Sequence, residues 1–311
     1  MTGWSVTAGQ LTPAQTAGVL ALAEAAQAAD GVAPLSKHVL LHLRHDGTED
    51  RDLVLTVNLD PAGDQVAGYA HLDTTSSATG AELSGELAIH PDRRREGLGL
   101  ALVRALTAQA DGHPVRLWAH GDLPAAARLG RAAGFDRFRA LWQMRRSLDD
   151  PLDQPRFPPG TALRTFRAGQ DEDQWLSLNR RAFAEHPEQG AWTRQDLELR
   201  ERESWFDPEG FFIAERHGAM AGFHWTKVQR PGDAPAGIGE VYVVGVDPGE
   251  QGTGLGRALT LVGLHHLQGR GLAQVMLYAD EDNRPAIRLY ESLGFTRWRT
   301  DAMYRHAGDT P

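Results

Sequence analysis

One strand–turn–helix pattern occurs twice in this chain at a nearly constant offset, and that duplication constrains its folding more than any single residue does. The second copy is the fuller one. Residues 239–257 read GEVYVVGVDPGEQGTGLGR, a run of valines and a tyrosine that stops at Asp247-Pro248, then a glycine-crowded turn. β-Branched and aromatic residues in that density favour a strand, and the glycines at 252, 254 and 256 predict a turn feeding a helix that opens near Gly254. In the first copy, Leu83–Ile89 closes on His90-Pro91, and Arg94-Arg95-Glu96-Gly97-Leu98-Gly99 leads into a helix. Gly97 and Gly254 are 157 positions apart; Ala8-Gly9-Gln10 and Ala168-Gly169-Gln170 are offset by 160, as are Gly134-Phe135 and Gly294-Phe295. Three landmarks at almost one spacing mean an internal repeat, so two copies of one α/β unit are expected.

Each copy mixes antiparallel strands with one helix-crossover βαβ unit, an α+β mixed sheet. Thr12-Pro13 predicts an N-cap and first helical turn, and Asp30-Gly31 the end of that helix. Strands are expected at Leu53–Asn58, Gly68–Leu72, Val115–Ala119 and Ala140–Arg146, with helices at Leu100–Asp111 and Pro124–Ala133. Four prolines in LDDPLDQPRFPPG forbid regular pairing. The expected organisation is therefore residues 1–148, a linker at 149–160, and residues 161–311.

A strand running into a glycine turn and a helix N-terminus is an anion cradle, because unpaired N–H groups and the positive end of the helix dipole converge there. The net charge of −9 offers no basic field for nucleic acid, so any phosphate site must be local. The absence of cysteine excludes disulfides, thiolate metal sites and a cysteine nucleophile, and suits a reducing cytosol. No apolar run approaches membrane-spanning length, so a soluble, cytoplasmic, monomeric protein is expected. Of thirteen histidines, His265 and His266 are adjacent on a helix and cannot face one ion, and no metal is expected. A dinucleotide fold would need G-x-G-x-x-G early and an acid about 20 residues on, and a Walker turn would need Gly-Lys-Ser/Thr. The chain has neither.

Gln251-x-x-Gly254-x-Gly256 after a strand, followed by Asn283-x-x-Ala286-x-x-Leu289-Tyr290-x-x-Leu293-Gly294-Phe295, resembles the GCN5-related N-acetyltransferase (GNAT) family. The turn alone is a weak signal; the pair is a strong one. The resemblance implies two tandem GNAT-type domains and acetyl-CoA as co-substrate. It implies main-chain contacts to the thioester and pantetheine arm from Val244, Gly245 and Val246. It places the pyrophosphate on Gln251, Gly252, Thr253, Gly254, Leu255, Gly256 and Arg257, with further coenzyme contacts from Asn283, Arg284, Pro285, Ala286, Ile287 and Arg288. Glu240 becomes the candidate general base and Tyr290 the candidate general acid. From spacing alone Glu240 is equally a strand-end surface charge, and Tyr290 equally an aromatic packed on the sheet.

HPEQG, WFDP, GFHWTKV and GEVYVVGVDP extend the likeness to tandem members of that family that acetylate a small-molecule amine, the cysteinyl amine of a glucosaminyl-inositol. Glu188, Lys227, Glu240 and Tyr278 are then the candidate acceptor-binding residues. After Pro34-Leu35-Ser36, where the resemblance implies an acid, the chain has Lys37. In the first copy Leu83, Leu123 and Gly130 stand where Glu240, Asn283 and Tyr290 stand in the second, so this half is expected to do no chemistry. Its Leu87, Ala88 and Ile89 strand end and its Arg95, Glu96, Gly97, Leu98, Gly99 and Leu100 turn still suit a bound coenzyme, so this half is expected either to hold an unreactive acetyl-CoA or to be an empty vestige.

Overall fold

The structure is a computed structural model that describes residues 3–45, 51–58, 64–73, 82–185, 187–229 and 237–306. It divides into two compact units, each built from non-contiguous chain: unit 1 holds residues 1–142, 280–282 and 299–311, and unit 2 holds residues 143–279 and 283–298.

Unit 1 contains strands β1 (Trp4–Ala8), β2 (Arg51–Asn58), β3 (Asp64–Asp73), β4 (Leu83–Ile89) and β5 (Val115–His120). Its helices are α1 (Pro13–Asp30), α2 (Lys37–His45), α3 (Leu98–Ala108) and α4 (Pro124–Ala132). The sheet order is β1-β2-β3-β4-β5, closed by β12 (Thr296–His306), whose residues 301–305 run antiparallel to β5. Only β4–β5 is parallel among the five, as the α3 crossover requires. Thr12 caps α1, its Oγ1 accepting from the Gln15 N–H at 3.2 Å while Gln15 Oε1 accepts from the Thr12 N–H at 2.9 Å. One face of the sheet packs Leu98, Leu102, Val103 and Leu106 of α3 on Leu53, Leu55, Leu72 and Leu117. Val19 and Leu22 of α1 and Val39 and Leu43 of α2 cover Val54 and Tyr69 on the other.

Unit 2 repeats the plan with β7 (Ala162–Thr165), β8 (Phe211–Arg216), β9 (Ala219–Gln229), β10 (Ile238–Val246) and β11 (Gln274–Asp280). Its helices are α5 (Glu172–Ala182), α6 (Pro187–Gly190), α7 (Arg194–Glu201), α8 (Leu255–Gly269) and α9 (Arg284–Ser292). Here β6 (Phe135–Ser147) lies beside β11, giving the order β6-β11-β10-β9-β8-β7. Its core is aromatic: Trp175, Phe211, Phe223 and Trp225 are fully buried, with Phe211 stacked on Trp225 at 4.5 Å between centroids.

The structure thus departs from two contiguous halves. The final strand of the chain belongs with unit 1, and the Gln143–Ser147 end of β6 belongs with unit 2, so the bounds at 148 and 161 cross the units. The proline-rich stretch forms no regular element, as expected, and is anchored rather than loose. Asp153 accepts from Arg257 Nη2 at 2.7 Å, and its carbonyl lies 3.0 Å from His265 Nε2. Both β1 and α2 were absent from the sequence expectation. Among the described residues no helix is long and apolar enough to cross a membrane.

Candidate active site

Strand β10 changes partners along its length, and this creates the site. Its parallel ladder with β11 covers only Gly239↔Val275, Glu240↔Met276 and Val241↔Leu277. Its antiparallel ladder with β9 continues to Val246↔Gly222, through a bulge between Val241 and Val243. The bulge bends β10 away from β11. Among the described residues, Val243–Val246 therefore have sheet partners on one side only, and alternate main-chain groups there face the gap.

Below the gap lies the turn. Gly252 (φ 77°) and Gly254 (φ 90°) are both left-handed, and Gly254 caps α8 without a side chain of its own. Residues 251–254 are exposed, so the first N–H groups of α8 are open to a ligand. Gly245 and Gly222 let the backbone pack closely. A Cβ on Gly245 would come 2.7 Å from Phe223, and one on Gly222 would come 2.8 Å from Leu259. Arg257 is already engaged, donating to Ser292 Oγ at 2.8 Å and to Asp153. Asn283 caps α9, its Oδ1 accepting from the Ala286 N–H at 3.1 Å, while Arg284 and Arg288 project into solvent.

Glu240 sits one ladder step before the gap, on the same sheet face as Lys227, its register partner on β9, and Met276, its partner on β11. It is 7% exposed, which removes the reading as a surface charge. Burial pushes its carboxyl up, against the pull of a hydrogen bond from Gln229 Nε2 to Oε2 (3.0 Å) and of the Lys227 charge. Lys227 lies over two rings, 4.5 Å from the Trp205 centroid and 5.2 Å from that of Tyr242. Tyr242, at the bulge, accepts from Arg200 Nε at 3.0 Å, and Arg200 lies over the Trp192 ring at 3.8 Å. Two residues beyond Met276, Tyr278 emerges on that face, 47% exposed, its hydroxyl accepting from Gln143 Nε2 at 2.7 Å. Tyr290 on α9 is buried edge-on to Phe295 at 5.9 Å, and burial pushes its phenol well above the usual range. The side chains of Glu188 and Lys37 lie outside the described residues.

The sequence reading gave no role to Gln229, Gln143, Trp205, Tyr242 or Arg200. Alternation along β9 put Gln229 on the Lys227 face, but its bond to Glu240 depends on cross-strand register.

Unit 1 carries its own cleft, a cavity of about 760 Å³. It is lined by Leu87, Ala88 and Ile89, by Arg95, Gly97, Gly99 and Leu100, and by Trp118, His120, Leu129, Gly130 and Tyr304 among others. Gly97 caps α3 at φ 83°, the counterpart of Gly254, and Arg95 adopts φ 69° where unit 2 has Gly252. Glu96 turns aside to Arg93 (3.5 Å) and Leu98 is buried in the core beneath. Arg94 spans this turn and α1 in a two-pronged ion pair with Asp30, 2.7 Å at each contact. In its lining His120 stands between Glu86 (3.5 Å) and Asp301 (3.4 Å), which together hold its imidazole protonated up to about 9 despite burial. Asp52 joins α2, β2 and β3 by accepting from Tyr69 at 2.6 Å and pairing with His42 and His71 at 3.0 Å each.

A β-strand splayed at a bulge beside a glycine-capped helix leaves main-chain groups and a helix N-terminus open to a ligand. The model described as "Acetyltransferase (GNAT) family" matches residues 173–295, so unit 2 carries an acetyltransferase domain of that class. Among solved structures, a GCN5-related N-acetyltransferase from Sphaerobacter thermophilus aligns at TM-score 0.75 and 26% identity, covering 96% of this chain and 95% of that one. A tandem GNAT protein from the clavulanic acid pathway aligns at TM-score 0.69 and 22% identity over 97% and 98% of the chains, which shows the shared fold. The chain belongs to the mycothiol acetyltransferase family. Its relative in Thermobispora bispora is 57% identical over 94% of this chain and 97% of that protein. The relative in Thermomonospora curvata is 58% identical over 95% of each.

Proposed function

We propose that this acetyltransferase moves the acetyl group of acetyl-CoA to the cysteinyl amine of cysteinyl-glucosaminyl-inositol (desacetylmycothiol), giving mycothiol and CoA by direct attack. The observation that carries the reading is Glu240: a buried carboxyl, its pKa raised by burial, beside the point where β10 leaves β11. The splayed main chain of Val244, Gly245 and Val246 and the open N-terminus of α8 fit a pantetheine arm and a diphosphate. Acetyl-CoA, when bound, supplies an activated thioester. Glu240 takes the proton that the amine must lose, directly or through a water, and the burial that raises its carboxyl makes it a stronger base than an exposed glutamate. N–H groups of the splayed segment stabilise the carbonyl oxygen as charge develops, worth about 3 kcal/mol per donor in comparable sites. Tyr290 is held neutral by burial and so carries a proton for the departing thiolate. Lys227, Tyr278 and Glu188 supply hydrogen-bonding groups for a polyhydroxylated acceptor, as such ligands require.

In unit 1 Leu83 and Leu123 replace the base and the capping asparagine. We read its cleft as holding an acetyl-CoA that is not turned over. The absence of cysteine fits a reducing cytosol, and the reading takes the protein as a cytoplasmic monomer without a metal.

The test is the purified protein with acetyl-CoA and desacetylmycothiol, with CoA release as readout and an aminoglycoside and a polyamine as rival amines. Turnover confined to a rival amine would replace the acceptor while leaving the chemistry. Tyr290→Phe should lower kcat by about 10- to 100-fold with the KM for acetyl-CoA nearly unchanged, as expected of a group that works in the transition state. An equally fast variant would remove Tyr290 from that role.

A further inference from the structure

Lysine carries a compact charge on a flexible four-carbon stem, so a lysine that must meet a ligand at one spot needs something to hold it there. For Lys227 no hydrogen bond or ion pair does so among the described residues; two ring faces do. Trp205 and Tyr242 meet edge to face at 5.0 Å between centroids and so form a corner. The ammonium lies in that corner, 4.5 Å from one centroid and 5.2 Å from the other. The corner is itself held. Trp205 sits in the turn after α7, which the Phe206 N–H closes on the Glu203 carbonyl at 3.0 Å. Tyr242 is tied through its hydroxyl to Arg200 at 3.0 Å. That guanidinium is fixed twice more, by the Asp196 carbonyl at 2.7 Å and by the Trp192 ring at 3.8 Å.

We infer that Trp205 and Tyr242 are positioning residues of the transfer reaction: they hold the Lys227 ammonium over the sheet face that carries Glu240, and through it act on acceptor binding and on the base. This rests on the reading of Glu240 as the base and of Lys227 as an acceptor contact. Lys227 and Glu240 are direct register partners on neighbouring strands, so the place of one charge is felt by the other. The groups that bear on Glu240 are Lys227 and Gln229 from β9, Tyr242 from β10 and Met276 from β11. Arg200 and Glu203 reach Tyr242 from α7 and the turn after it. Lys227 is the cation in this set whose charge pulls the Glu240 carboxyl down. Trp205 is half-buried and touches neither Glu240 nor its hydrogen-bond partner Gln229 by any ladder or ring contact. Its route to the base is therefore Lys227, and a packing role alone would not couple it to the titration of a carboxyl on β10.

The experiment is a double-mutant cycle on the full chain, read as kcat and KM for the acceptor amine, KM for acetyl-CoA, and the pH profile of kcat/KM. Trp205→Leu removes the ring face and keeps apolar bulk. It should raise KM for the amine about 3- to 10-fold, the range of a partly desolvated cation–π contact, with KM for acetyl-CoA unchanged. An ammonium no longer held pulls less on Glu240, so that carboxyl rises and the acidic limb of kcat/KM moves to higher pH. Trp205→Phe keeps a weaker face and should give a smaller change of the same sign; it carries the test if a thermal melt shows Trp205→Leu to be unfolded. In a Lys227→Met background neither Trp205 variant should add to the effect. Equal effects with and without Lys227 would make Trp205 a packing residue and overturn the inference, as would Trp205 variants with unchanged acceptor KM and an unmoved limb. If Lys227→Met alone altered neither quantity, the acceptor role given to Lys227 would fall, and this inference with it.

Discussion

Glu240 is a carboxylate kept dry and then partly compensated. Burial raises its pKa, while the amide of Gln229 and the charge of Lys227 lower it, so its working value is set by neighbours on β9. Gln229→Leu removes a donor to the ionised form, so the pKa of Glu240 rises further. The acidic limb of the kcat/KM profile should then shift to higher pH, by up to about one unit for a bond worth about 1 kcal/mol. Activity well above that limb should change little. A limb that stays put would show that the group titrating there is not Glu240, or that Gln229 does not touch it in solution. Here the sequence named the carboxylate but left its environment open. Glu240 as a base and Glu240 as a surface charge have the same spacing, and only the ladder that buries it separates them.

At the scale of elements, the glycine turn was legible because left-handed backbone leaves a mark on composition. Gly254 and Gly256 belong to the same motif yet answer to different physics. Gly254 has φ 90°, and an added Cβ would meet nothing within 4 Å, so substitution brings backbone strain rather than a clash. A Cβ on Gly256 would lie 3.5 Å from Val246 Cγ2, an ordinary contact. Gly254→Ala should therefore cost about 1–2 kcal/mol and raise the KM for acetyl-CoA several-fold, while Gly256→Ala should remain close to wild type in both. Steady-state kinetics and a thermal melt on the two variants decide it. The elements that escaped expectation were those whose pattern is weak. Trp4–Ala8 is a short edge strand with little alternation in burial, and Lys37–His45 is announced by Ser36, whose Oγ accepts from the Val39 N–H at 3.4 Å, with no acid in its first turn to reinforce the signal. The bulge in β10 was also invisible, because Val241 to Val246 reads as a uniform strand.

At the scale of the whole chain, duplication made the fold class readable and hid the way the copies are closed. Phe135–Ser147 and Thr296–His306 begin at equivalent landmarks, so pattern alone cannot say which sheet each strand completes. Register decides: Asp301 to Arg305 pair with His120 to Arg116 in unit 1, and Ala302, Met303 and Tyr304 are buried there. Asp301 adds a hydrogen bond from the Gly121 N–H at 3.0 Å and a charged contact to His120. Ending the chain after Trp298 therefore removes a strand from unit 1 while leaving unit 2 its α9 and the start of β12. Losing three buried residues, at roughly 2–3 kcal/mol for each large side chain, is comparable to the net stability of a domain. Hydrogen exchange on the truncated protein should show collapsed protection in β4 and β5 and near-native protection in β8 and β9. If the two halves were instead contiguous, the same truncation would strip the last strand of the second half. Protection would then fall in β10 and β11 with β4 and β5 intact, and that pattern would refute the exchanged arrangement.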